Sequence, residues 1–183
     1  IFKQDPTASN LADALSAYEQ TLETVDSKFD DWSNNIKKLT PQEERGRQVF
    51  LSDKAKCFDC HFMEDFTDDA YKNIGLFNGK ELNDSGRYLI SRDLADLGKF
   101  KTPGLRNIAV TAPYMHNGMF NTLEEVIEYY NDPSKFIKDP IQIDDALKQP
   151  LGLTVKEKKD LVAFLKTLTD KKYLGRRKVG AGY

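Results

Sequence analysis

The sequence predicts an all-α fold, with a helical domain over residues 40–183 and a helical extension over residues 1–39 before it. Three capping boxes, in each of which a threonine is followed three residues later by glutamate, begin at Thr40, Thr122 and Thr154. This pairing satisfies backbone amides at the start of a helix. Apolar residues near the N-terminus also recur at steps of three and four, which is the spacing of one helix face.

The composition is that of an ordinary globular protein. The chain has 183 residues, of which 39% are hydrophobic and 31% charged, with a formal net charge of -2. This length fits one domain, or one domain with an extension. The chain lacks the basic excess that indicates nucleic-acid binding. Its longest apolar runs, such as residues 161–165, are too short to span a membrane.

The N-terminal segment has the pattern of an amphipathic helix that runs from Asn10 to about Val25 and continues to Trp32. Its apolar face is formed by Leu11, Leu15, Tyr18, Leu22 and Val25. Such a helix needs a partner surface, so the extension lies along the domain or packs on another one. The chain begins at Ile1 without a starting methionine or an apolar leader. We therefore expect that a signal peptide has been removed or that the chain is a fragment.

Thr40 begins the first helix of the domain, which has proline at its first position and runs through Gly46 to Phe50. Gly46 and Phe50 are four residues apart and share a face. A residue without a side chain at position 46 would let a second helix approach closely. The alternative is that glycine only weakens a short exposed helix.

Both cysteines of the chain lie in one motif, Cys57-x-x-Cys60-His61. Two cysteines are too few for a disulfide framework or a four-thiolate zinc site, and His61 and His116 are too widely separated for a site of two cysteines and two histidines. A thioredoxin-like pair needs a buried strand before its first cysteine, which residues 51–56 do not provide. CxxCH is instead the attachment signature of c-type haem, whose iron the adjacent histidine binds.

A haem requires a helical frame, and the capping boxes at Thr40 and Thr154 supply two helices for it. The helix after Thr154 carries an apolar stripe formed by Leu161, Val162, Phe164, Leu165 and Leu168. A helix before CxxCH and a helix at the end of the domain are what a class I cytochrome c fold requires. We therefore predict a class I cytochrome c-like domain with one covalent haem c, in which these helices cross beside the haem and Phe50 covers its edge.

A loop and a third helix follow. Residues 103–120 are rich in proline, glycine and asparagine, which predicts a structured loop that carries candidate site residues. The capping box at Thr122 begins a helix that ends at residues 131–133. In this helix, Tyr130 is predicted at the centre of the apolar face and Tyr129 at its margin.

Four stretches of the sequence together resemble a known family. They are CFDCH, FTDDAYKNIGL, FKTPGLRNIAVTAPYMHNGMFNTLEEVIEYYN and LTVKEKKDLVAFLKTL. From about Asn10 to Thr169 the chain is similar to the C-terminal haem domain of the bacterial diheme cytochrome c peroxidase and MauG family. In that family, two c-type haems occupy two cytochrome c-like domains. Peroxide reacts at one haem, while the other passes or stores electrons.

The resemblance implies a function and also reveals a departure, because the chain has one CxxCH where the family has two. We therefore expect a fragment of a periplasmic MauG-like peroxidase. Its haem would relay oxidising equivalents between a peroxide-reactive haem in a partner N-terminal domain and a redox donor protein. The peroxide pocket would lie outside this chain, so no residue is assigned as catalytic. The alternative is a stand-alone monohaem cytochrome c that carries electrons.

The residues alone leave the second axial ligand of the iron open. Met115 and Met119 lie on the loop after CxxCH, as in small cytochromes c, and a thioether ligand raises the reduction potential. A tyrosine phenolate favours ferric and higher states instead. The resemblance favours Tyr130, because ordinary peroxidases of the family have methionine at that position and MauG has tyrosine. The alternative is that Tyr130 packs in the core.

Four further residues are candidates for the site. The resemblance implies that His116, in the pattern PYxHxG, lies beside the haem without binding iron. It also implies that the backbone carbonyls of Thr111 and Pro113 help to bind a calcium ion between the two haem domains, and carbonyl oxygens suit this hard cation. Arg106 is a candidate contact of a haem propionate, unless it is solvated or caps a helix.

Overall fold

The fold is mostly helical, with one small sheet. The computed structural model describes residues 6–62 and 64–174. The helices in these ranges are α1 (Ala8–Glu19), α2 (Lys28–Ser33), α3 (Pro41–Phe50), α4 (Tyr88–Ser91), α5 (Leu123–Asn131) and α6 (Val155–Lys166). Strands β1 (Tyr71–Lys72) and β2 (Phe100–Lys101) pair antiparallel, with Tyr71 opposite Lys101 and Lys72 opposite Phe100. The predicted all-α class is therefore corrected to a mostly helical fold.

The three predicted capping boxes are present and begin α3, α5 and α6. In each box the threonine hydroxyl accepts a hydrogen bond from the glutamate amide, and the glutamate carboxylate accepts one from the threonine amide. For Thr40 and Glu43 these distances are 3.3 and 2.6 Å. These bonds satisfy amides that a helix leaves unpaired, so the local sequence sets where each helix begins. Within the described ranges, none of the helices is long and apolar enough to cross a membrane.

Helices α3 and α6 cross in close contact at Gly46. This residue is buried, and a Cβ atom on it would overlap the carbonyl oxygen of Asp160 and lie 2.8 Å from Cβ of Phe164. Beside the crossing, the Arg45 guanidinium bonds the Asp160 carboxylate at 2.8 Å. The prediction that Gly46 permits close helix approach is therefore confirmed, and the alternative that it only weakens an exposed helix is wrong.

The centre of the core is an aromatic cluster formed by Phe29, Phe50, Phe66 and Phe164. Ring centroids of Phe50 and Phe164 are 5.3 Å apart, and those of Phe50 and Phe66 are 5.9 Å apart. Phe29 of α2 lies 5.1 Å from Phe66 and 6.0 Å from Phe164. The apolar stripe predicted for α6 is also buried around this cluster. The cluster therefore joins α2, α3 and α6 to the loop that follows the CxxCH motif.

Helix α1 is shorter than predicted and exposes its apolar face. It ends at Glu19 rather than near Val25. The apolar residues of α1 and of the segment after it are each 50–68% exposed; they are Leu11, Leu15, Tyr18, Leu22 and Val25. The helical periodicity was therefore a correct signal for a helix, but the described part of the chain leaves its apolar face largely open to solvent.

The chain joins the domain before residue 40. The Phe29 amide donates a hydrogen bond to the Thr167 carbonyl at 3.0 Å. The Asp26 amide donates to Oδ1 of Asp170 at 3.1 Å, and the Asp26 carbonyl accepts from the Lys171 amide at 3.0 Å. The segment from Asp26 onwards therefore packs against the end of α6, and the boundary between residues 39 and 40 stays a prediction. The end of the predicted domain, residues 175–183, lies outside the described residues.

The Gly46 contact predicts the effect of adding one methyl group. Gly46→Ala should lower the free energy of unfolding of the haem-loaded chain by about 1–3 kcal/mol, because α3 and α6 must separate to accommodate the Cβ. Alanine has the higher helix propensity, so any loss arises from packing rather than from the helix itself. Urea denaturation measures this difference. Gln48→Ala on the exposed side of α3 is the control and should change stability by less than about 0.5 kcal/mol. A Gly46→Ala protein as stable as wild type would contradict this account.

Candidate haem-binding site

The CxxCH motif forms one compact turn. Lys56 adopts the left-handed conformation with a φ of 55°, and a 3₁₀ turn follows over Cys57–Asp59. The His61 amide donates a hydrogen bond to the Cys57 carbonyl at 2.9 Å. Both cysteines are free and partly buried. The turn therefore presents two thiols and an imidazole from five consecutive residues, as thioether attachment and iron ligation from one segment require.

The thiols of this turn are uncharged at neutral pH. Burial raises the pKa of Cys57 to about 12 and also raises the pKa of Cys60. Reactive cysteines of redox pairs have a lowered pKa, and zinc binds the thiolate form. No group of three or more histidine, cysteine, aspartate or glutamate residues in the described ranges could hold a metal ion. The chemistry of the two cysteines therefore fits haem attachment better than a redox pair or a zinc site.

His61 is oriented by a backbone carbonyl. Its Nδ1 lies 2.8 Å from the carbonyl oxygen of Phe66. When Nδ1–H donates to this oxygen, Nε2 keeps the lone pair that binds iron. Burial lowers the pKa of His61, although the carbonyls of Phe66 and Pro103 act in the opposite direction. The imidazole is therefore neutral, which is the form that coordinates a metal.

Phe66 is the residue of this site that sequence reasoning missed. It has a φ of 58°, which is a rare conformation for a bulky residue, and its ring is buried in the aromatic cluster. The cluster therefore holds the backbone that carries the His61 acceptor. No side-chain pattern could have indicated this role, because the contributing group is a main-chain carbonyl.

Tyr130 packs against the same core cluster as Cys57 and lies within electrostatic range of both cysteines. Tyr130 lies in the last turn of α5 and packs, partly buried, against the core. Burial raises the pKa of its phenol, and the nearby Cys57 and Cys60 thiols would raise it further if they ionised. Tyr130 therefore lies within electrostatic range of both cysteines.

The predicted order of the two tyrosines on α5 is wrong. The helical pattern predicts Tyr129 at the margin of the apolar face, yet it is 0% exposed, and its hydroxyl donates to the Ile74 carbonyl at 2.6 Å. Tyr130 is the more accessible of the two. A helical projection cannot show which side of a helix other segments cover, and the loop at Ile74 and the ring of Phe136 cover Tyr129.

Met115 and Met119 lie on the loop that precedes α5, whereas Tyr130 lies within this helix. Met115 and Met119 are partly buried and pack against the core. Met115 adopts a left-handed φ of 68°. The Met119 sulfur accepts a weak hydrogen bond from Nδ2 of Asn117 at 3.8 Å. Neither contact indicates a sulfur directed at the CxxCH turn, so ligation by either methionine stays a prediction.

His116, Thr111 and Pro113 are exposed residues of the same loop. The His116 ring stacks on Phe100 of β2, with centroids 3.7 Å apart and an interplanar angle of 8°. The Thr111 hydroxyl donates to the Ile108 carbonyl at 3.2 Å. The role of His116 beside a haem and the calcium site at the carbonyls of Thr111 and Pro113 stay predictions.

Arg106 has partners other than the predicted propionate. Its NH1 bonds both carboxylate oxygens of Asp30, at 2.9 and 3.1 Å. Its Nε donates to the Glu64 carbonyl at 3.1 Å and to Asp65 Oδ1 at 3.2 Å. The Arg106 side chain is 12% exposed. Arg106 therefore ties α2 to the loop that follows CxxCH, and it is neither solvated nor a helix cap.

The known proteins similar to this chain are named cytochrome c peroxidase or MauG. No protein-family model matches the chain. It is 32% identical to the cytochrome c peroxidase IdrP1 of Denitromonas iodatirespirans, over 92% of this chain and 52% of that protein. It is 35% identical to the methylamine utilization protein MauG of Paracoccus denitrificans, over 88% of this chain and 51% of that protein. The chain thus spans about half the length of the curated relatives it matches.

A solved structure is similar over almost the whole chain. It is that of a MauG-like protein associated with microbial copper homeostasis, with a TM-score of 0.78 and 32% identity. The match covers 98% of this chain and 58% of that one. The fold of the described residues is therefore one that occurs inside a longer polypeptide.

The Arg106–Asp30 ion pair predicts a pH-dependent loss of stability. Arg106→Gln should lower the free energy of unfolding at pH 7 by roughly 2 kcal/mol, less than for a fully buried pair, because Asp30 keeps its hydrogen bonds from Ser27. Burial would raise the pKa of Asp30, but hydrogen bonds from Ser27 and Arg106 hold it below its ordinary value. A lowered pKa contributes stability above the unfolded value of about 3.9 that is lost at lower pH. The deficit of the variant should therefore shrink below about pH 4.

Denaturation at several pH values measures this deficit. Lys101→Gln, which removes an exposed ion pair with Asp69, is the control and should cost less than about 1 kcal/mol at every pH. A changed haem reduction potential with unchanged stability in Arg106→Gln would instead support the propionate contact.

Proposed function

Because this chain belongs to the bacterial diheme cytochrome c peroxidase and MauG family, we propose that it is the electron-transfer haem domain of a MauG-like peroxidase. It relays oxidising equivalents between a peroxide-reactive haem outside this chain and a redox donor protein. The observation that supports the proposal is the compact CxxCH turn with His61 Nδ1 held 2.8 Å from the Phe66 carbonyl, and Tyr130 packs against the same core as Cys57 and within electrostatic range of both cysteines. A c-type haem supplies an iron that changes oxidation state, and a phenolate ligand favours its ferric and higher states.

Each residue of the turn has a distinct task in this proposal. Cys57 and Cys60 tether the haem through thioethers, and His61 binds the iron through Nε2 while the Phe66 carbonyl holds Nδ1. Tyr130 provides the second ligand as a phenolate. Burial opposes loss of the phenol proton, and the positive charge of a bound metal favours it. Loss of the Tyr130 proton would therefore accompany binding of the phenol oxygen to iron rather than precede it.

The partner haem and the donor are not part of the described chain. The relatives are about twice as long as this chain, which supports a second haem domain in the same or a partner polypeptide. The exposed apolar stripe of α1 supports the existence of a covering surface. We place the peroxide pocket in that second domain, and we propose a periplasmic location and a calcium ion at the carbonyls of Thr111 and Pro113 on family grounds.

A stand-alone electron carrier is the second candidate. It is favoured by the positions of Met115 and Met119, both partly buried against the core on the loop after CxxCH. In this case one methionine, not Tyr130, is the second ligand, and the reduction potential is high. The two functions therefore differ in the identity of the second iron ligand, which spectroscopy can determine.

Haem attachment is the first part of the proposal to test. The purified chain should contain one covalent haem, measured as a pyridine haemochrome that acidified acetone does not extract. The double variant Cys57→Ala, Cys60→Ala should hold haem that is fully extractable, because both thioether bonds are lost. His116→Ala is the control and should retain covalent haem. Extractable haem in the unmodified chain would refute attachment at CxxCH.

Replacement of Tyr130 tests the second ligand. Tyr130→Phe should lose the phenolate-to-ferric charge-transfer band, and Tyr130→Met should raise the reduction potential by on the order of 0.1 V, within the range that axial ligands cover. Electronic absorption spectroscopy and potentiometry measure the two effects.

Met115→Leu and Met119→Leu are the matched controls. Both should leave the phenolate-to-ferric charge-transfer band and the reduction potential unchanged. A methionine-to-iron charge-transfer band that persists in Tyr130→Phe and disappears in one of these controls would favour the electron carrier.

A further inference from the structure

We propose that Tyr129 is a positioning residue for Tyr130. Its hydroxyl, bonded to the Ile74 carbonyl, sets the rotation of the last turn of α5 and thereby directs the Tyr130 phenol to the haem site. This inference rests on the proposed ligation by Tyr130. Tyr129 touches neither the thiols nor His61 in this account and acts through its neighbour.

Tyr129 and Tyr130 move together. Consecutive residues of an α-helix point about 100° apart. Tyr129 therefore faces the core, where its ring lies 5.4 Å from Phe120 and 5.7 Å from Phe136. Tyr130 packs against the same core cluster as Cys57, and the two tyrosine rings meet edge to face with centroids 5.7 Å apart. Any rotation of this helical turn displaces both rings.

The Ile74 carbonyl, which accepts from the Tyr129 hydroxyl, is held in place by its neighbours. Tyr129 Oη donates to the Ile74 carbonyl at 2.6 Å. The preceding residue, Asn73, is buried, and its Oδ1 accepts from the Gly75 amide at 2.9 Å. Its Nδ2 donates to two backbone carbonyls of other loops, both at 2.9 Å. The carbonyl of Ile74 is thus held by a network that ties three segments together.

Asn131 anchors the same helical turn on its other side. Its Oδ1 accepts from the Leu153 amide at 2.7 Å, and its carbonyl accepts from the Leu151 amide at 2.9 Å. Residues 129 and 131 flank Tyr130 at about 100° in either direction. Two hydrogen-bonded anchors therefore fix the direction of Tyr130, and removal of the Tyr129 hydroxyl leaves one of them.

Tyr129 is poorly suited to a redox role of its own. Oxidation of a phenol requires a base that accepts its proton, and a backbone carbonyl is an acceptor of hydrogen bonds rather than a base. The hydroxyl is therefore an anchor, and its contribution should appear in the geometry of Tyr130.

The test compares three variants of the full haem-loaded chain by absorption and EPR spectroscopy. Tyr129→Phe removes the hydroxyl and keeps the ring. Tyr114→Phe is the matched control, because the Tyr114 ring is also buried and its hydroxyl also donates to a backbone carbonyl, that of Ile108, at 2.8 Å. Both changes leave one carbonyl without its phenol donor, but Tyr114 lies in the loop and not on α5. Tyr130→Phe gives the spectrum without a phenolate.

The expected results separate the inference from the function on which it rests. Tyr129→Phe should show a weaker phenolate band than wild type and a second EPR species, since loss of one hydrogen bond shifts the ratio of ligating to misdirected Tyr130 about two- to tenfold. Tyr114→Phe should keep the wild-type spectrum. A wild-type band in Tyr129→Phe, with the band abolished in Tyr130→Phe, would overturn the inference and leave Tyr130 ligation standing. A wild-type spectrum in Tyr130→Phe would overturn the ligation itself.

A second variant applies if Tyr129→Phe yields no haem-loaded protein. Gly75→Ala changes the acceptor side, because a Cβ there would lie 3.2 Å from Tyr129 Oη and 2.7 Å from Cδ1 of Ile143. It should weaken the phenolate band in the same way. A wild-type band in Gly75→Ala would then overturn the inference.

Discussion

The close contact between Gly46 and the backbone of Asp160 is the constraint on which the rest of the domain depends. It brings α3 and α6 together, so that Phe50 and Phe164 meet and Phe66 packs against both. The carbonyl of Phe66 then lies 2.8 Å from Nδ1 of His61. A missing side chain on one helix thus determines, through three aromatic rings, how the candidate iron ligand is oriented.

Burial gives the candidate site its chemical character. It raises the pKa of the Cys57 and Cys60 thiols and of the Tyr130 phenol, and it lowers the pKa of the His61 imidazole. Every one of these groups is therefore uncharged at neutral pH. An uncharged, largely apolar surrounding suits a porphyrin, whose binding relies on apolar surface and a few placed polar groups. The same surrounding makes ligation by a phenolate depend on the charge of the metal.

Polar contacts hold the segment before residue 40 against the rest of the structure. The segment from Asp26 is held by Asp170, whose carboxylate also accepts a hydrogen bond from Asn107 at 3.3 Å. Arg106 holds the next turn through Asp30. These partners come from residues more than seventy positions away, so no local pattern could place them together. In the sequence, the apolar residues from Leu11 to Val25 have the spacing of one continuous helix face. In the structure, α1 ends at Glu19 and α2 begins at Lys28.

The sequence by itself determined the helix starts at Thr40, Thr122 and Thr154 and the close approach at Gly46, and it predicts haem attachment at CxxCH. Each of these is encoded within a few neighbouring residues. Only the tertiary structure decided that Tyr129 is the fully buried tyrosine of α5 and that its hydroxyl donates to the Ile74 carbonyl. It also decided that Arg106 holds α2 and that a carbonyl of Phe66 orients His61. The physical reason is that each of these roles depends on which distant segment packs against a given side chain. The sequence pattern predicts which side of a helix is apolar, but not which segment covers that side.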